Sequence, residues 1–413
     1  MRPQLARELV TALLRQVRDG RLTIIEAHGE RLSFGQGERE AVMQLHSPRV
    51  WADFLGGSLR LADSYAQGRW DSPDTVALVR LAARNMSALD RVRRLGLPLL
   101  YPLALARAVS RPAKRDQRRR DVSSHYDLGN ALFERMLDPT LTYSCALFTE
   151  PGSSLEDAQR AKLERVCAEL ELGPEHHVLE IGTGWGSFAI HAASTRGCRV
   201  TTTTVSGEQY KYVRARIKAL GLSELVSVIS EDFRDLKGTY DRLVSIEMIE
   251  AVGWQNIGRF LGACSSFLTA GGAMLLQAIT IDDRAYQVEK ASRSFIKRYI
   301  FPGGTLPSVQ VLTGALARRT DMQTMGVTDL TAHYVTTLQH WRRRFLANWP
   351  ELAAQGFDER FKRIWALYLA YCEAGFAERR IQDVQMLLVK PGFRRQLTRL
   401  QTRAPGKGLQ HAF

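Results

Sequence analysis

Cysteine is scarce in this chain, and what there is does not pair. Cys145, Cys167, Cys198, Cys264 and Cys372 are odd in number and scattered, with no Cys-x-x-Cys among them. Neither a disulfide framework nor a zinc site is expected, and the thiols read as reduced and cytosolic. Long hydrophobic runs are missing as well: no uninterrupted apolar stretch reaches the roughly 20 residues that a membrane-spanning helix needs. The N-terminal Met1-Arg2-Pro3-Gln4-Leu5-Ala6-Arg7-Glu8 is charged in its first turns and lacks an apolar signal core, so no secretion is expected. His28, His46, His176, His177 and His191 fall in unrelated stretches without metal-ligand spacing, and no bound metal is expected. Internal repeats and low-complexity segments are absent. Acidic residues are in deficit, 43 against 57 Lys and Arg, and the net charge of +14 favours anionic surfaces, either phospholipid head groups or nucleic acid. No aromatic interleaving or recognised nucleic-acid module supports the second, so no nucleic-acid partner is expected.

With 413 residues, 45% of them hydrophobic and 24% charged, the chain has room for two globular domains. Residues 1–110 mix periods. Leu5–Val17, Val50–Tyr65 and Asp74–Asn85 repeat apolar residues at helical spacing, with Ser72-Pro73-Asp74 as a helix start, while Leu22–Ala27 and Val42–His46 alternate as short strands. This predicts a small α+β domain for membrane or dimer contact. An apolar, twice proline-broken segment, Leu95–Ala106, then runs into a basic linker at 111–122 that contains Arg118-Arg119-Arg120. Such a junction suits the surface of an anionic bilayer, at about 1 kcal/mol per basic residue. From 123 to 400 the pattern becomes α/β: Val178–Ile181, Val200–Val205, Val226–Ile229, Leu243–Ile246 and Met274–Ile279 are strand candidates at βα spacing. A doubly wound, Rossmann-like sheet is expected, with Gln382–Val389 as a last antiparallel strand at its edge and an insertion over 283–320 as a lid or substrate-binding element.

The chemistry centres on Val178-Leu179-Glu180-Ile181-Gly182-Thr183-Gly184-Trp185-Gly186, a buried strand that breaks at three glycines and re-enters as a helix. Glycine permits both the turn and the approach of bare backbone N–H groups to a ligand, so the loop reads as a nucleotide cradle. Neither the dinucleotide fingerprint nor the phosphate loop fits, because no acid closes the next strand and no Gly-Lys-Ser/Thr follows. Glu180 before the glycines suits a cationic ligand. The loop resembles that of S-adenosylmethionine-dependent methyltransferases.

Four further blocks sharpen the likeness: Ser123–Phe148, Glu247–Gly253, Phe295–Gly304 and Tyr368–Phe376. With the glycine loop they resemble, in order, the cyclopropane-fatty-acyl-phospholipid synthase family, relatives of the mycolic acid cyclopropane synthases. The resemblance implies a seven-stranded methyltransferase domain, a cytoplasmic enzyme at the inner face of the membrane, and a homodimer. It assigns cofactor contacts to Tyr143, Ser144, Glu180, Gly182, Gly184, Trp185, Gly186, Thr204, Val205, Ser206, Gln209, Glu231 and Asp232, with Gln209 in place of the missing acid. It implies a bicarbonate ion as base, held by Cys145, Glu250, Tyr334, Cys372 and the backbone of Ile279. Relatives usually carry His where this chain has Gln277, which can donate a hydrogen bond to an anion but cannot relay a proton. The implied reaction is methyl transfer to a cis double bond of a phospholipid acyl chain, then proton loss with closure to a cyclopropane. The alternative is a methylene- or methyl-branched chain. A nucleic-acid methyltransferase is disfavoured, since neither an Asn/Asp-Pro-Pro-Tyr motif nor a Pro-Cys pair is present. Phe295, Tyr299, Ile300 and Phe301 are expected to line an acyl tunnel.

Overall fold

The computed structural model describes residues 3–96, 130–292 and 294–395. The basic linker, most of the apolar segment before it and the block Ser123–Gly129 lie outside these residues.

The N-terminal unit is a four-stranded sheet in the order β2-β1-β3-β4, with β1 Gly20–Ile25, β2 Arg31–Gln36, β3 Glu40–Leu45 and β4 Trp70–Asp71. Alternation along β3 buries Ala41, Met43 and Leu45 against Val10, Ile24, Trp51 and Trp70, with helices Pro3–Leu14 and Val50–Leu55 closing the core. The helix that starts at Thr75 begins where Ser72-Pro73-Asp74 predicts: the Ala77 amide donates to Asp74 Oδ1 at 2.9 Å, which satisfies one of the orphan first-turn donors. Strand β2 escapes the hydrophobic pattern because it is an edge that buries only Phe34.

The large sheet holds seven strands in the order β10-β11-β9-β8-β5-β6-β7. They are β5 His177–Ile181, β6 Arg199–Thr203, β7 Val226–Ile229, β8 Tyr240–Ile246, β9 Leu268–Ile281, β10 Gln323–Asp329 and β11 Ile381–Val389. β5 to β9 pair in parallel and β11 runs antiparallel to both neighbours. The apolar runs of β5, β8 and β9 follow from burial on both faces: Val178, Leu179, Leu243, Val244, Met274 and Leu276 are all fully buried between two layers of helices. One expectation is corrected here. The strand at 381–389 is internal, and the edge belongs to β10, whose Gln-Thr-Met-Gly-Val-Thr-Asp has no apolar alternation because nearly all of it is exposed.

The chain goes one way from β5 to β7 and returns to the other side at β8, so the strand order reverses between β5 and β8. At such a reversal the helices leave the sheet in opposite directions and open a crevice at the carboxyl ends of the strands. The glycine loop closes β5 and the Glu247–Gly253 block closes β8, which brings two distant motifs to one place. A third core, rich in aromatic side chains, joins helices Asn130–Met136, Thr331–Ala347 and Glu359–Ala377, with Trp341 and Trp365 fully buried in it.

Candidate active site

A cavity of about 1580 Å³ occupies this crevice. Gly182 (φ 106°), Gly184 (φ 54°) and Gly186 (φ 85°) all adopt left-handed backbone. A Cβ on Gly186 would stand 2.8 Å from Val213 Cγ1, whereas one on Gly184 would meet no protein atom within 4 Å and would enter the cavity. Gly186 therefore serves packing and Gly184 close approach. The amides of Gly182 and Thr183 donate to the Thr203 carbonyl at 3.1 and 3.0 Å, fixing the turn against β6. Trp185 lines the cavity from a buried position, its indole Nε1 donating to Asn130 Oδ1 at 3.2 Å.

The other expected cofactor positions surround the same space. Tyr143, Ser144, Glu180, Thr204, Val205, Gln209, Glu231 and Asp232 line the cavity. Thr204 Oγ1 donates to Gln209 Oε1 at 2.8 Å, leaving the Gln209 amide group as the donor for a ligand hydroxyl. Ser206 does not line the cavity; its Oγ caps helix Gly207–Ala219 by accepting from the Gln209 amide at 3.3 Å, a positioning role. Asp232 is paired with Arg234. Glu180 is buried and accepts from Thr202 Oγ1 at 2.5 Å, and burial pushes its carboxyl up to about 8. An acid desolvated in this way gains from a cationic ligand. These residues fit S-adenosylmethionine: backbone freed by glycine, amide and hydroxyl groups for a ribose, and a buried acid for positive charge.

Beside the cradle lies an acidic cluster centred on a residue that sequence reasoning did not single out. Glu247 Oε1 accepts from the Cys145 amide at 2.8 Å and from Gln277 Nε2 at 2.9 Å, while Oε2 accepts from the Tyr334 hydroxyl at 2.6 Å. Gln277 Nε2 also donates to Asp383 Oδ2 at 2.9 Å, and Gln385 Nε2 orients it by donating to Gln277 Oε1 at 3.0 Å. Glu250 Oε1 accepts from the Ile279 amide at 2.6 Å, and its buried Oε2 has no hydrogen-bond partner. Burial, reinforced by the charge of Glu247, raises the Glu250 carboxyl to about 8. Burial likewise raises Glu247 and Asp383. Lys162, wholly buried, donates from Nζ to Ser144 Oγ at 2.7 Å, with burial lowering its pKa. The cluster thus sets several carboxylates against one buried amine, an environment that favours an incoming cation.

Two expected site residues need correction. Cys145 and Gln277 are fully buried and do not line the cavity. The Cys145 thiol points back to the carbonyls of Ala146 and Leu330, at 3.3 and 3.6 Å, and only its amide reaches the cluster. Both residues position Glu247. Glu250, Ile279, Tyr334 and Cys372 do line the cavity. Burial pushes the Cys372 thiol up to about 12, which makes it a neutral wall rather than a nucleophile. Glu247 stood in the same sequence block as Glu250, which was the available signal. Tyr368, its hydroxyl 2.7 Å from that of Tyr143, stood likewise in the Tyr368–Phe376 block, whereas Lys162 and Asp383 gave no signal, since only the fold brings them near.

Phe295, Phe301, Leu338 and Leu367 make an apolar wall, and the cavity extends past Leu14, Met43 and Leu61 of the N-terminal unit. Tyr299 and Ile300 are not part of it. The Tyr299 hydroxyl instead bonds Asp63, tying the insertion to the N-terminal unit, and Ile300 is buried in the aromatic core.

Residues 113–386 match the family described as mycolic acid cyclopropane synthetase. The tuberculostearic acid methyltransferase of Mycobacterium tuberculosis is 37% identical over 358 residues, 84% of this chain and 83% of that protein. The cyclopropane-fatty-acyl-phospholipid synthase of Escherichia coli is 36% identical over 359 residues, 85% of this chain and 88% of that protein. Among solved structures, a mycolic acid cyclopropane synthase complexed with SAH and CTAB superposes with a TM-score of 0.62 at 29% identity, covering 66% of this chain and 98% of its own.

Proposed function

This chain belongs to the mycolic acid cyclopropane synthetase family and is an S-adenosylmethionine-dependent methyltransferase of lipid acyl chains; from that premise we propose that it converts a cis double bond in a phospholipid acyl chain to a cyclopropane. The observation that carries this reading is the meeting, in one cavity, of the glycine cradle, an apolar wall and the unpartnered Oε2 of Glu250.

Bound S-adenosylmethionine supplies an electrophilic methyl group on a positively charged sulfur. Gly182, Gly184, Trp185, Thr204, Gln209 and the backbone around Glu231 would hold it, and Glu180 would face its positive end. An alkene is a weak nucleophile, so the contribution of the chain is alignment in a water-poor cavity, where orientation supplies much of the rate. Phe295, Phe301 and Leu367 would lay the acyl chain against that methyl group. The cation left on the lipid after transfer is stabilised by the negative charge of the acidic cluster and the ring of Tyr334. Glu250 Oε2 then accepts the proton lost from the new methyl group as the ring closes.

Similarity to a tuberculostearic acid methyltransferase, and glutamine at position 277, favour a second reading in which proton loss elsewhere leaves a branched chain. The basic surplus supports peripheral docking on anionic membrane, with two copies facing one bilayer as the likeness implies. The test is methyl transfer from labelled S-adenosylmethionine to vesicles of cis-unsaturated phosphatidylglycerol. Label is expected in those lipids and not in saturated ones; label in neither, or in DNA or RNA instead, overturns the assignment.

A further inference from the structure

The groups expected to grip a bicarbonate ion are already engaged. The Cys145 amide, Gln277 Nε2 and the Tyr334 hydroxyl come from three separate elements and converge on one carboxylate, that of Glu247. The Ile279 amide, the expected backbone contact to the ion, donates to Glu250. The planar O–C–O fragment of a glutamate presents the same two acceptor oxygens as bicarbonate, so a pocket of donors built for one receives the other. Bicarbonate therefore does not fit this donor set as it stands. A second, independent feature marks Glu247. Its backbone is left-handed at φ 48°, a conformation costly for a residue with a Cβ and usually sustained only where surrounding structure demands it.

We propose that Glu247 is a built-in substitute for bicarbonate, so that the reaction of this chain needs no exchangeable anion. The inference rests on the reaction proposed above. In that reaction the alkene π pair forms the bond to the methyl carbon while the C–S pair leaves with sulfur. The C–H pair of the new methyl group closes the ring on the cationic carbon, and the proton passes to the chain. Glu247, both of whose oxygens are occupied by donors, is the fixed negative charge beside the cation. Glu250, with one oxygen free, takes the proton. Cys145, Gln277 and Tyr334 hold the substitute anion in place. Because glutamine at 277 cannot relay a proton, direct transfer to a carboxylate removes the need for a relay at that position.

The test compares the full-length protein, saturated with S-adenosylhomocysteine, with its Glu247→Gly variant. Glycine accepts the left-handed backbone without strain and vacates the donors. Binding of [13C]bicarbonate is followed by NMR, with circular dichroism and S-adenosylhomocysteine affinity confirming that the variant is folded. Wild type is expected to bind none and the variant one equivalent. In turnover, wild type is expected to be indifferent to carbon-dioxide-free buffer. The variant should lose about 100-fold and recover at least about tenfold with added bicarbonate but not chloride. Stoichiometric bicarbonate on wild type, a fall in its rate when the ion is stripped, or a variant that neither binds nor responds to bicarbonate would each overturn the proposal. Absence of methyl transfer to unsaturated lipid by wild type under every condition would instead sink the proposed reaction, and the binding comparison would still decide the anion.

Discussion

Glu250 has one oxygen tied to the Ile279 amide and the other buried with no partner, so that oxygen is free to take a proton once a bound cation has ionised the carboxyl. Glu250→Gln keeps the shape and removes the basicity. Turnover should fall by about 10²- to 10⁴-fold while affinity for S-adenosylmethionine, read by calorimetry, changes little; unchanged product formation would remove Glu250 from the mechanism. The same residue and Glu180 both ionise near 8 in the fold, against an ordinary value of 4.5, because burial disfavours their charged forms. Between those values the unfolded chain has released protons that the folded chain keeps. Stability without ligand should therefore decline as pH rises from about 4.5 towards 8, with a shallower decline in the Glu180→Gln/Glu250→Gln double variant. A cation reverses the preference, so binding of S-adenosylmethionine at pH 7 should release protons into the buffer, and the uncharged thioether S-adenosylhomocysteine should release fewer. Equal release, measured by calorimetry in buffers of different ionisation enthalpy, would contradict the assignment of these acids to the sulfonium.

Some of this chemistry could be read from the order of residues. Glu180 is fixed by its place before the glycines and Glu250 by its block. Lys162, on a helix far upstream, and Asp383, on a strand more than two hundred residues later, were invisible because their role depends on burial beside Glu247 rather than on any local pattern. Cys145 and Gln277 were legible as members of the site, but not that they act behind Glu247.

At the level of elements, the strand-loop-helix around 177–196 divides its labour between glycines. Gly186→Ala would drive a methyl group to 2.8 Å from Val213 Cγ1 and should lower the melting temperature markedly. Gly184→Ala meets only open cavity, so its cost to stability should be smaller, about 1–2 kcal/mol from the left-handed backbone, and its main effect should be weaker cofactor binding. Loss of the same property by both variants would contradict this division. The legible elements were those with a clear pattern: β5, β8 and β9 carry apolar runs because both faces are covered, and helix Ile257–Ser266 buries Phe260, Leu261 and Cys264 on one face. β2 and β10 were not, since an exposed edge imposes no alternation. β11 was recognised as a strand but misplaced, because pairing order is settled by contacts that sequence spacing does not encode.

Over the whole molecule, the surplus of +14 and the cavity that reaches from the large sheet to the N-terminal unit bear on where the proposed reaction happens. No helix among the described residues is long and apolar enough to cross a membrane. The reaction proposed above draws its acyl chain from a membrane surface, and the cavity that would receive it runs from the cradle past Leu14 and Leu61 of the N-terminal unit. Binding to vesicles of anionic phospholipid should fall steeply as salt rises, because the Debye length shrinks from about 10 Å at 0.1 M to about 3 Å at 1 M. Salt-insensitive binding would assign the contact to apolar side chains instead. The most direct measurement is mass spectrometry of lipids from cells expressing the wild-type chain or Glu250→Gln, with derivatisation that separates a ring from a branched alkene. The account predicts unsaturated acyl chains enlarged by one CH2 unit and carrying a cyclopropane in the wild type alone; acyl chains of unchanged mass, or the same ring in both, would contradict it.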